Sequence, residues 1–165
     1  NPLHAGKAVA DSAWYRHQQQ GIWPEGFVSI MKMALSHVAF VDDEPELRAL
    51  AELALAVVGG LRVTLCASGV EALRIIPTCR PQMVLMDASM PGLDGLATLT
   101  ALRAMPATAT TPVVFITATN DPDHVASLKR AGALDVLAKP FDLMTLGARL
   151  HEIWADRPRI TSPAG

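Results

Sequence analysis

Short apolar runs alternate with helix-like patterns from residue 37 to residue 156. The apolar runs predict five strands, at 37–42, 61–65, 82–87, 112–117 and 134–138. In residues 44–58 the pattern is helical, with apolar residues recurring at Leu47, Leu50, Leu53 and Val57. Strands that alternate with helices are typical of βαβ units. We therefore predict an α/β fold, (βα)5, with a doubly wound, five-stranded parallel sheet of the flavodoxin-like kind.

Turn and capping residues set the limits of the first three predicted helices. Gly59-Gly60 ends the first helix, since glycine readily adopts the backbone that follows a helix. Ser68 and Glu71 form a capping box that opens the second helix, and Pro77 closes it. The third helix is predicted over 93–105.

The last two helices carry similar signals. Asp121-Pro122 provides an N-cap followed by proline at the first helical position, and Gly132 ends the fourth helix. Asp142 is predicted to cap the fifth helix. The apolar face of that helix is made by Leu143, Leu146, Leu150 and Ile153.

The chain divides near residue 36. Residues 1–36 show no sustained period, although 5–20 is compatible with a short helix. We interpret this part as an N-terminal extension or upstream segment without a role in the chemistry. The alternative is a docking segment anchored by Trp14 and Trp23. Residues 37–156 form the predicted domain, and 157–165 are a C-terminal tail.

Composition and charge exclude several classes of protein. The 165 residues suit one domain, half of them are hydrophobic, and the net charge is −2. This balance gives no electrostatic case for direct nucleic-acid binding. No apolar stretch reaches the ~18 residues of a membrane span, and no secretory signal is recognisable. Cys66 and Cys79 lack metal-type spacing, so we expect reduced thiols in a cytoplasmic protein.

Polar residues follow the predicted strands where each strand ends. They are Asp42 and Asp43 after the first, Asp87 after the third, Thr117 after the fourth and Lys139 after the fifth. Ligands of such sheets bind beyond the carboxyl ends of the strands. Because packed carboxylates repel, we expect a hard divalent cation, with Mg²⁺ as the usual choice beside a phosphate. Lys139 and Thr117 would then hold the oxygens of a phosphoryl group on Asp87.

Four motifs make residues 37–156 resemble a response-regulator receiver domain of two-component signalling. They are Val41-Asp42-Asp43-Glu44, the stretch Met86-Asp87-Ala88-Ser89-Met90-Pro91-Gly92-Leu93-Asp94-Gly95, Ile116-Thr117-Ala118 and Ala138-Lys139-Pro140-Phe141. They stand in the family's order, each at a predicted strand end. The resemblance covers about three quarters of the chain and does not extend to residues 1–36.

The resemblance implies a role for each acidic residue. Asp87 resembles the aspartate that accepts a phosphoryl group from a phospho-histidine. Asp42 and Asp43 resemble the pair that binds Mg²⁺, and the backbone carbonyl of Ser89 resembles a further ligand. Asp94 belongs instead to the start of the third helix. The lone histidines His37, His124 and His151 form no cluster, so we interpret them as packed or surface imidazoles.

The resemblance also implies a switch. Thr117 resembles the hydroxyl that is drawn toward the phosphoryl group, and Lys139 the ammonium that pairs with it, with a cis Lys139-Pro140 bond. Val136 is a departure, because the family commonly places an aromatic there that rotates inward on activation. A valine cannot repeat that motion, which puts in doubt the usual coupling to the face of the fourth helix, fifth strand and fifth helix.

Ser89 and Thr119 occupy the positions at which the family tunes hydrolysis of the phosphoryl group. Each lies two residues beyond a site residue, Asp87 or Thr117. Both side chains are small, so we expect an attacking water to have access. The phosphorylated form should therefore not be very long-lived.

These expectations describe a signalling switch rather than an enzyme, since the domain would catalyse only its own phosphorylation and slow dephosphorylation. Its partners would be a histidine kinase or a histidine phosphotransfer protein, an unknown downstream protein, and a second copy if it dimerises. We expect a stand-alone receiver similar to chemotaxis regulators, because only 158–165 follow the last helix. A phosphorelay intermediate or the receiver of a longer hybrid kinase is the alternative.

A different class also uses Asp, Thr, Lys and Mg²⁺, namely aspartate-nucleophile phosphatases of α/β type. Those enzymes usually carry a second Asp two residues after the nucleophile, where it acts as general acid. In this chain that position is Ser89. Steady turnover of a phosphomonoester would distinguish such an enzyme from a receiver.

Overall fold

The computed structural model describes residues 34–158, in which five strands alternate with five helices. The elements in chain order are β1 (His37–Val41), α1 (Pro45–Glu52, continued by a π-helical turn, Leu53–Val58), β2 (Arg62–Cys66), α2 (Gly69–Cys79), β3 (Met83–Asp87), α3 (Gly95–Ala104), β4 (Val113–Thr117), α4 (Pro122–Arg130), β5 (Asp135–Ala138) and α5 (Leu146–Asp156). Every strand lies within one residue of its predicted bounds. The predicted helix at 5–20, with Trp14 and Trp23, lies outside the described residues.

The strands form one parallel sheet in the order β2-β1-β3-β4-β5. All residues of β1, β3 and β4 are buried, which explains why these strands read as continuous apolar runs. Val41 pairs with both Cys66 and Met86, while Asp87 pairs with Ile116. This register brings the carboxyl ends of the strands to one edge. The predicted (βα)5 fold is confirmed.

Helices cover both faces of the sheet because successive strand residues point to opposite sides. On one face, Phe40 and Leu85 pack in a core cluster with residues of α1 and α5. On the other, Val41, Met86 and Phe115 pack with residues of α2, α3 and α4. The sheet is therefore sandwiched between two helical layers.

The core face of α1 differs from the predicted apolar repeat. Leu50, Leu53 and Val57 are exposed, whereas the buried residues of this helix are Ala51, Ala54 and Leu55. The helix widens at Leu53 into a π-helical turn, where the Gly59 amide donates to the Ala54 carbonyl five residues earlier. Ala51, Ala54 and Leu55 keep ordinary helical spacing but lie about one residue on from the predicted repeat, so two alanines and a leucine pack in the core instead of Leu50 and Leu53.

Two predicted helix limits are corrected. Pro77 does not close α2, which continues to Cys79, with Arg80 as a left-handed C-cap at φ 48°. Pro77 lies in the last turn and lacks an amide donor of its own, but the Arg80 amide still donates to the Ile76 carbonyl, so the helix continues past it. Asp142 caps a turn rather than α5, since its carboxylate accepts from the Met144 amide and the helix begins at Leu146.

The other predicted caps are confirmed. The Ser68 hydroxyl accepts from the Glu71 amide at 3.0 Å. Asp94 and Asp121 accept from amides in the first turns of α3 and α4. α3 is shorter than predicted, because the cap at Asp94 sets its start at Gly95.

Both cysteines of the described region are free thiols. Burial raises the pKa of the Cys66 thiol to about 12, so this group stays protonated and unreactive. Of the helices between residues 34 and 158, none has the length and apolar character needed to cross a membrane.

A buried histidine joins β1 to β2 at the end of the sheet where these strands begin. Arg62 donates to His37 Nδ1 at 2.8 Å, so Nδ1 carries no proton. The other ring nitrogen, Nε2, therefore donates to the Thr64 hydroxyl at 2.8 Å. Burial and the Arg62 charge lower the pKa of His37. The fold consequently favours the neutral imidazole.

This arrangement predicts a loss of stability below about pH 6.5, the pKa of an unfolded-chain histidine. Because the folded pKa is lowered, the stabilisation is present above that pH and is lost as the pH falls. Denaturation at pH 7.5 and pH 5.5 should reveal a loss of stability that depends on His37, measured as the difference between the native chain and His37→Gln. His37→Gln should reduce this pH dependence, and His151→Gln, at an exposed position, should not. Equal pH dependence in all three chains would contradict the assignment.

Candidate functional site

Three carboxylates converge at the carboxyl edge of the sheet. Asp42 and Asp43 follow β1, and Asp87 ends β3, which is the neighbouring strand. One carboxylate oxygen from each lies within 4.8 Å of the others. Asp42 is fully buried and Asp87 almost so, whereas Asp43 is half-buried. The convergence predicted from the strand ends is therefore present.

Lys139 joins two of these carboxylates. Its Nζ lies 3.0 Å from Asp42 Oδ2 and 3.3 Å from Asp87 Oδ2. Burial alone would lower the pKa of Lys139, but the hydrogen bonds and charges of Asp42 and Asp87 raise it overall. The lysine amide donates to the Thr117 carbonyl at 2.8 Å, and the Lys139-Pro140 peptide is cis, as the resemblance implied. The site thus contains a protonated ammonium held between two strands.

Asp87 is a buried carboxylate with a raised pKa. Burial raises its pKa and the charge of Asp42 adds to the rise, while the Ser89 amide and Lys139 oppose it. The Ser89 amide donates to Asp87 Oδ1 at 3.1 Å. The net rise shows that these donors do not fully offset the desolvation of the ionised group.

Asp42 and Asp43 differ in their surroundings. Both carboxylate oxygens of Asp42 are engaged, Oδ1 by the Glu44 amide at 2.9 Å and Oδ2 by Lys139. The Asp43 carboxylate has no hydrogen-bond partner in the part of the chain that the structure describes. Asp43 is therefore the more available of the two for a cation.

The remaining predicted site residues lie around this edge. Thr117 is buried at the end of β4, and its hydroxyl accepts from the Thr119 amide at 3.3 Å. Ser89 and Thr119 are exposed. Val136 is half-buried and packs against the core cluster beneath α2, α3 and α4. No ring is available at this position to move between an inward and an outward orientation.

Residues excluded from the site on sequence grounds also lie outside the acidic cluster. Asp94 accepts from the Ala97 amide as the N-cap of α3. The cluster contains none of the histidines His37, His124 and His151.

Two further residues contact the site, and neither was predicted to have a role in it. Arg48 donates to the backbone carbonyl of Asp42 at 2.8 Å. Gly95 packs directly beneath Asp87, and a Cβ there would lie 2.5 Å from the Asp87 carbonyl oxygen. The glycine after the Asp94 cap was a usable signal for close packing. No pattern in the sequence indicates that Arg48 would contact the Asp42 carbonyl.

The donor set fits a hard divalent cation. Carboxylate oxygens are the ligands that Mg²⁺ prefers, and a small ion fits between oxygens within 4.8 Å of one another. One lysine faces three carboxylates, so the site keeps an excess of negative charge. A cation would relieve the repulsion that Asp42 exerts on Asp87.

Comparison with known sequences identifies relatives of this chain. A family profile described as Response regulator receiver domain matches residues 38–151. The chain is 39% identical over 116 residues to transcriptional regulatory protein PrrA of Mycobacterium leprae, covering 70% of this chain and 48% of PrrA. It is 39% identical over 103 residues to the DNA-binding transcriptional regulator NtrC of Escherichia coli, covering 62% of this chain and 21% of NtrC. It spans about half or less of these relatives.

Solved structures similar to this chain are also response regulators or receiver domains. Chemotaxis protein CheY4 of Vibrio cholerae is similar with a TM-score of 0.67 at 29% identity, over 73% of this chain and 99% of CheY4. The receiver domain of sensor histidine kinase PA1611 from Pseudomonas aeruginosa is similar with a TM-score of 0.65 at 31% identity, over 74% of this chain and 99% of that domain. The PA1611 structure has a magnesium ion coordinated in its active site cleft.

Removing the charge of Asp87 should stabilise the metal-free fold. Because its pKa is raised on folding, the ionised carboxylate costs stability at neutral pH. Asp87→Asn keeps an acceptor for the Ser89 amide. Its melting temperature in EDTA should rise by a few degrees, roughly 1 kcal/mol for a domain of this size. Asp94→Asn is the control, since asparagine caps a helix as well as aspartate. A lower or unchanged melting temperature for Asp87→Asn would be inconsistent with the site described.

Proposed function

The chain belongs to the response regulator receiver domain family, and we propose that it is a phosphorylation-dependent switch that accepts a phosphoryl group on Asp87. The observation that carries this proposal is the joining of Asp42 and Asp87 through Lys139, beside the open carboxylate of Asp43. The donor would be a phospho-histidine of a histidine kinase or of a histidine phosphotransfer protein. The phosphorylated protein would then signal through contacts with other proteins.

The transfer is a substitution at phosphorus. A carboxylate oxygen of Asp87 attacks, the phosphorus–nitrogen bond of the donor breaks, and the imidazole leaves with the electron pair. Asp43, Asp87 and the Ser89 carbonyl would hold Mg²⁺ together with Asp42. Bound there, the ion would neutralise charge on the carboxylates and the transferring group.

Lys139 and Thr117 have complementary parts in this proposal. The protonated Lys139 already lies 3.3 Å from Asp87, so its ammonium can pair with a phosphoryl oxygen attached to that carboxylate. The Thr117 hydroxyl has a proton to donate, while its oxygen accepts from Thr119. Drawing Thr117 toward the phosphoryl group would strain or break that bond. The loop from Thr117 to α4 would then shift, so phosphorylation of Asp87 would change the conformation of this part of the surface.

The output face proposed here consists of α4, β5 and α5. Asp135 of β5 forms ion pairs with Lys129 of α4 at 3.6 Å and with Arg149 of α5 at 3.1 Å. These pairs join the three elements at the surface. We propose this face as the site of homodimerisation or of partner binding. Since Val136 has no ring to rotate, the signal would travel through the loop before α4.

A receiver within a hybrid kinase or a phosphorelay intermediate is the second candidate. Its motivation is the similarity to the receiver domain of sensor histidine kinase PA1611, although CheY4 is matched over as much of its length. Transfer of the phosphoryl group from Asp87 to a histidine phosphotransfer protein would support a relay. The phosphatase alternative lacks its general acid, because Ser89 stands at the position where those enzymes usually carry a second Asp.

Incubation with acetyl phosphate and Mg²⁺ should add one phosphoryl group to the native chain. Intact-mass measurement should show a single adduct that requires Mg²⁺, since the ion offsets repulsion between the anionic donor and the carboxylates. Asp87→Asn should show no adduct, whereas Asp94→Asn should react normally. An adduct on Asp87→Asn, or none on a folded native chain with Mg²⁺ present, would refute the proposed function.

The phosphorylated form should decay well within hours. Ser89 and Thr119 are small and exposed, so water can reach the phosphoryl group. Thr119→Leu should slow the loss of the phosphoryl group roughly a few-fold, because the larger side chain excludes that water. Asn120→Leu adds similar bulk at the next exposed position and should have little effect. The decay is followed by intact mass after the donor is removed, and persistence of the native adduct for many hours would disprove this expectation.

A further inference from the structure

The backbone of Asp42 is fixed from two sides. Its amide donates to the Cys66 carbonyl of β2 at 3.1 Å. Its carbonyl accepts from Arg48 Nη1 at 2.8 Å. Arg48 is half-buried on α1, and its own amide donates to the Glu44 carbonyl, so the helix holds the arginine in place. Arg48 thus connects α1 to the backbone of Asp42 and is not itself a metal ligand.

The bond from Arg48 bears on Asp43 more than on Asp42. The carbonyl of Asp42 belongs to the peptide unit that joins it to Asp43. Because a peptide unit is planar, fixing that oxygen fixes the plane from which Asp43 projects. The carboxylate of Asp43 has no partner among the described residues, so its position depends on its backbone. Asp42, in contrast, is also held through its carboxylate by Glu44 and Lys139.

We propose that Arg48 is a positioning residue for divalent-cation binding, acting by orienting the Asp42–Asp43 peptide and so placing the Asp43 carboxylate. The inference rests on the proposed function, since it takes Mg²⁺ as the ion of the acidic cluster. It adds a residue of α1 that touches neither the ion nor the transferring group. Orientation by such an outer partner typically changes metal affinity tenfold or more.

The positive charge of Arg48 and its hydrogen bond to Asp42 should affect Mg²⁺ affinity in opposite directions. A guanidinium is always protonated and repels a cation. If charge were its only effect, removing Arg48 would tighten Mg²⁺ binding. If the hydrogen bond to Asp42 dominates, removing it weakens binding. The two accounts therefore predict opposite changes.

Titration calorimetry with Mg²⁺ alone should measure this on the full chain. We expect Arg48→Met to weaken Mg²⁺ binding about tenfold. Arg74→Met removes an equal charge from α2, where Arg74 is exposed and pairs with Glu71, and should leave the affinity near the native value. Unchanged or tighter binding by Arg48→Met would overturn the inference. If Arg48→Met does not fold, Arg48→Gln is tested by the same criterion.

A second readout separates positioning from general destabilisation. The rate of labelling by acetyl phosphate should need more Mg²⁺ in Arg48→Met but should approach the native rate at saturating Mg²⁺. A labelling rate that stays low at every Mg²⁺ concentration would overturn the positioning role. If the native chain itself binds no Mg²⁺, the proposed function fails, and this inference fails with it. If the native chain binds Mg²⁺ and Arg48→Met binds it equally well, only the inference fails.

Discussion

The ammonium of Lys139, shared between Asp42 and Asp87, is the interaction on which the site depends. It brings a positive charge between carboxylates from two adjacent strands that would otherwise repel. The lysine is itself anchored, because its amide donates to Thr117 at the end of β4. One ammonium is insufficient to neutralise three carboxylates, and the pKa of Asp87 is raised chiefly by burial and further by the charge of Asp42. A divalent cation would relieve this excess of negative charge. A phosphoryl group on Asp87 would add negative charge and would therefore depend on the cation and on Lys139.

Much of the fold follows from the sequence because the central strands are buried on both faces. Such strands read as unbroken apolar runs, so their ends are visible where a polar residue appears. Asp42, Asp87, Thr117 and Lys139 each mark such an end, and parallel order brings them to the same edge. The proximity of these residues was thus predictable from general rules. Their individual roles came from resemblance to a family, and they remain proposals.

The features that were missed depend on contacts that a linear pattern does not contain. The core face of α1 is made by Ala51, Ala54 and Leu55, whereas the larger apolar residues Leu53 and Val57 are exposed. The bond from Arg48 to the Asp42 carbonyl depends on how α1 packs over the end of β1. Helical periodicity predicts that a helix is present, whereas three-dimensional packing decides which of its side chains contact the site.

Chemical mapping of the phosphorylated protein would show whether Asp87 is the residue that carries the phosphoryl group. Borohydride reduces an acyl phosphate to an alcohol, which would convert a phosphorylated Asp87 into homoserine. Peptide sequencing by mass spectrometry after reduction should find homoserine at position 87 alone. Homoserine at Asp42, Asp43 or Asp94, or a reduced residue elsewhere with Asp87 unchanged, would contradict the account.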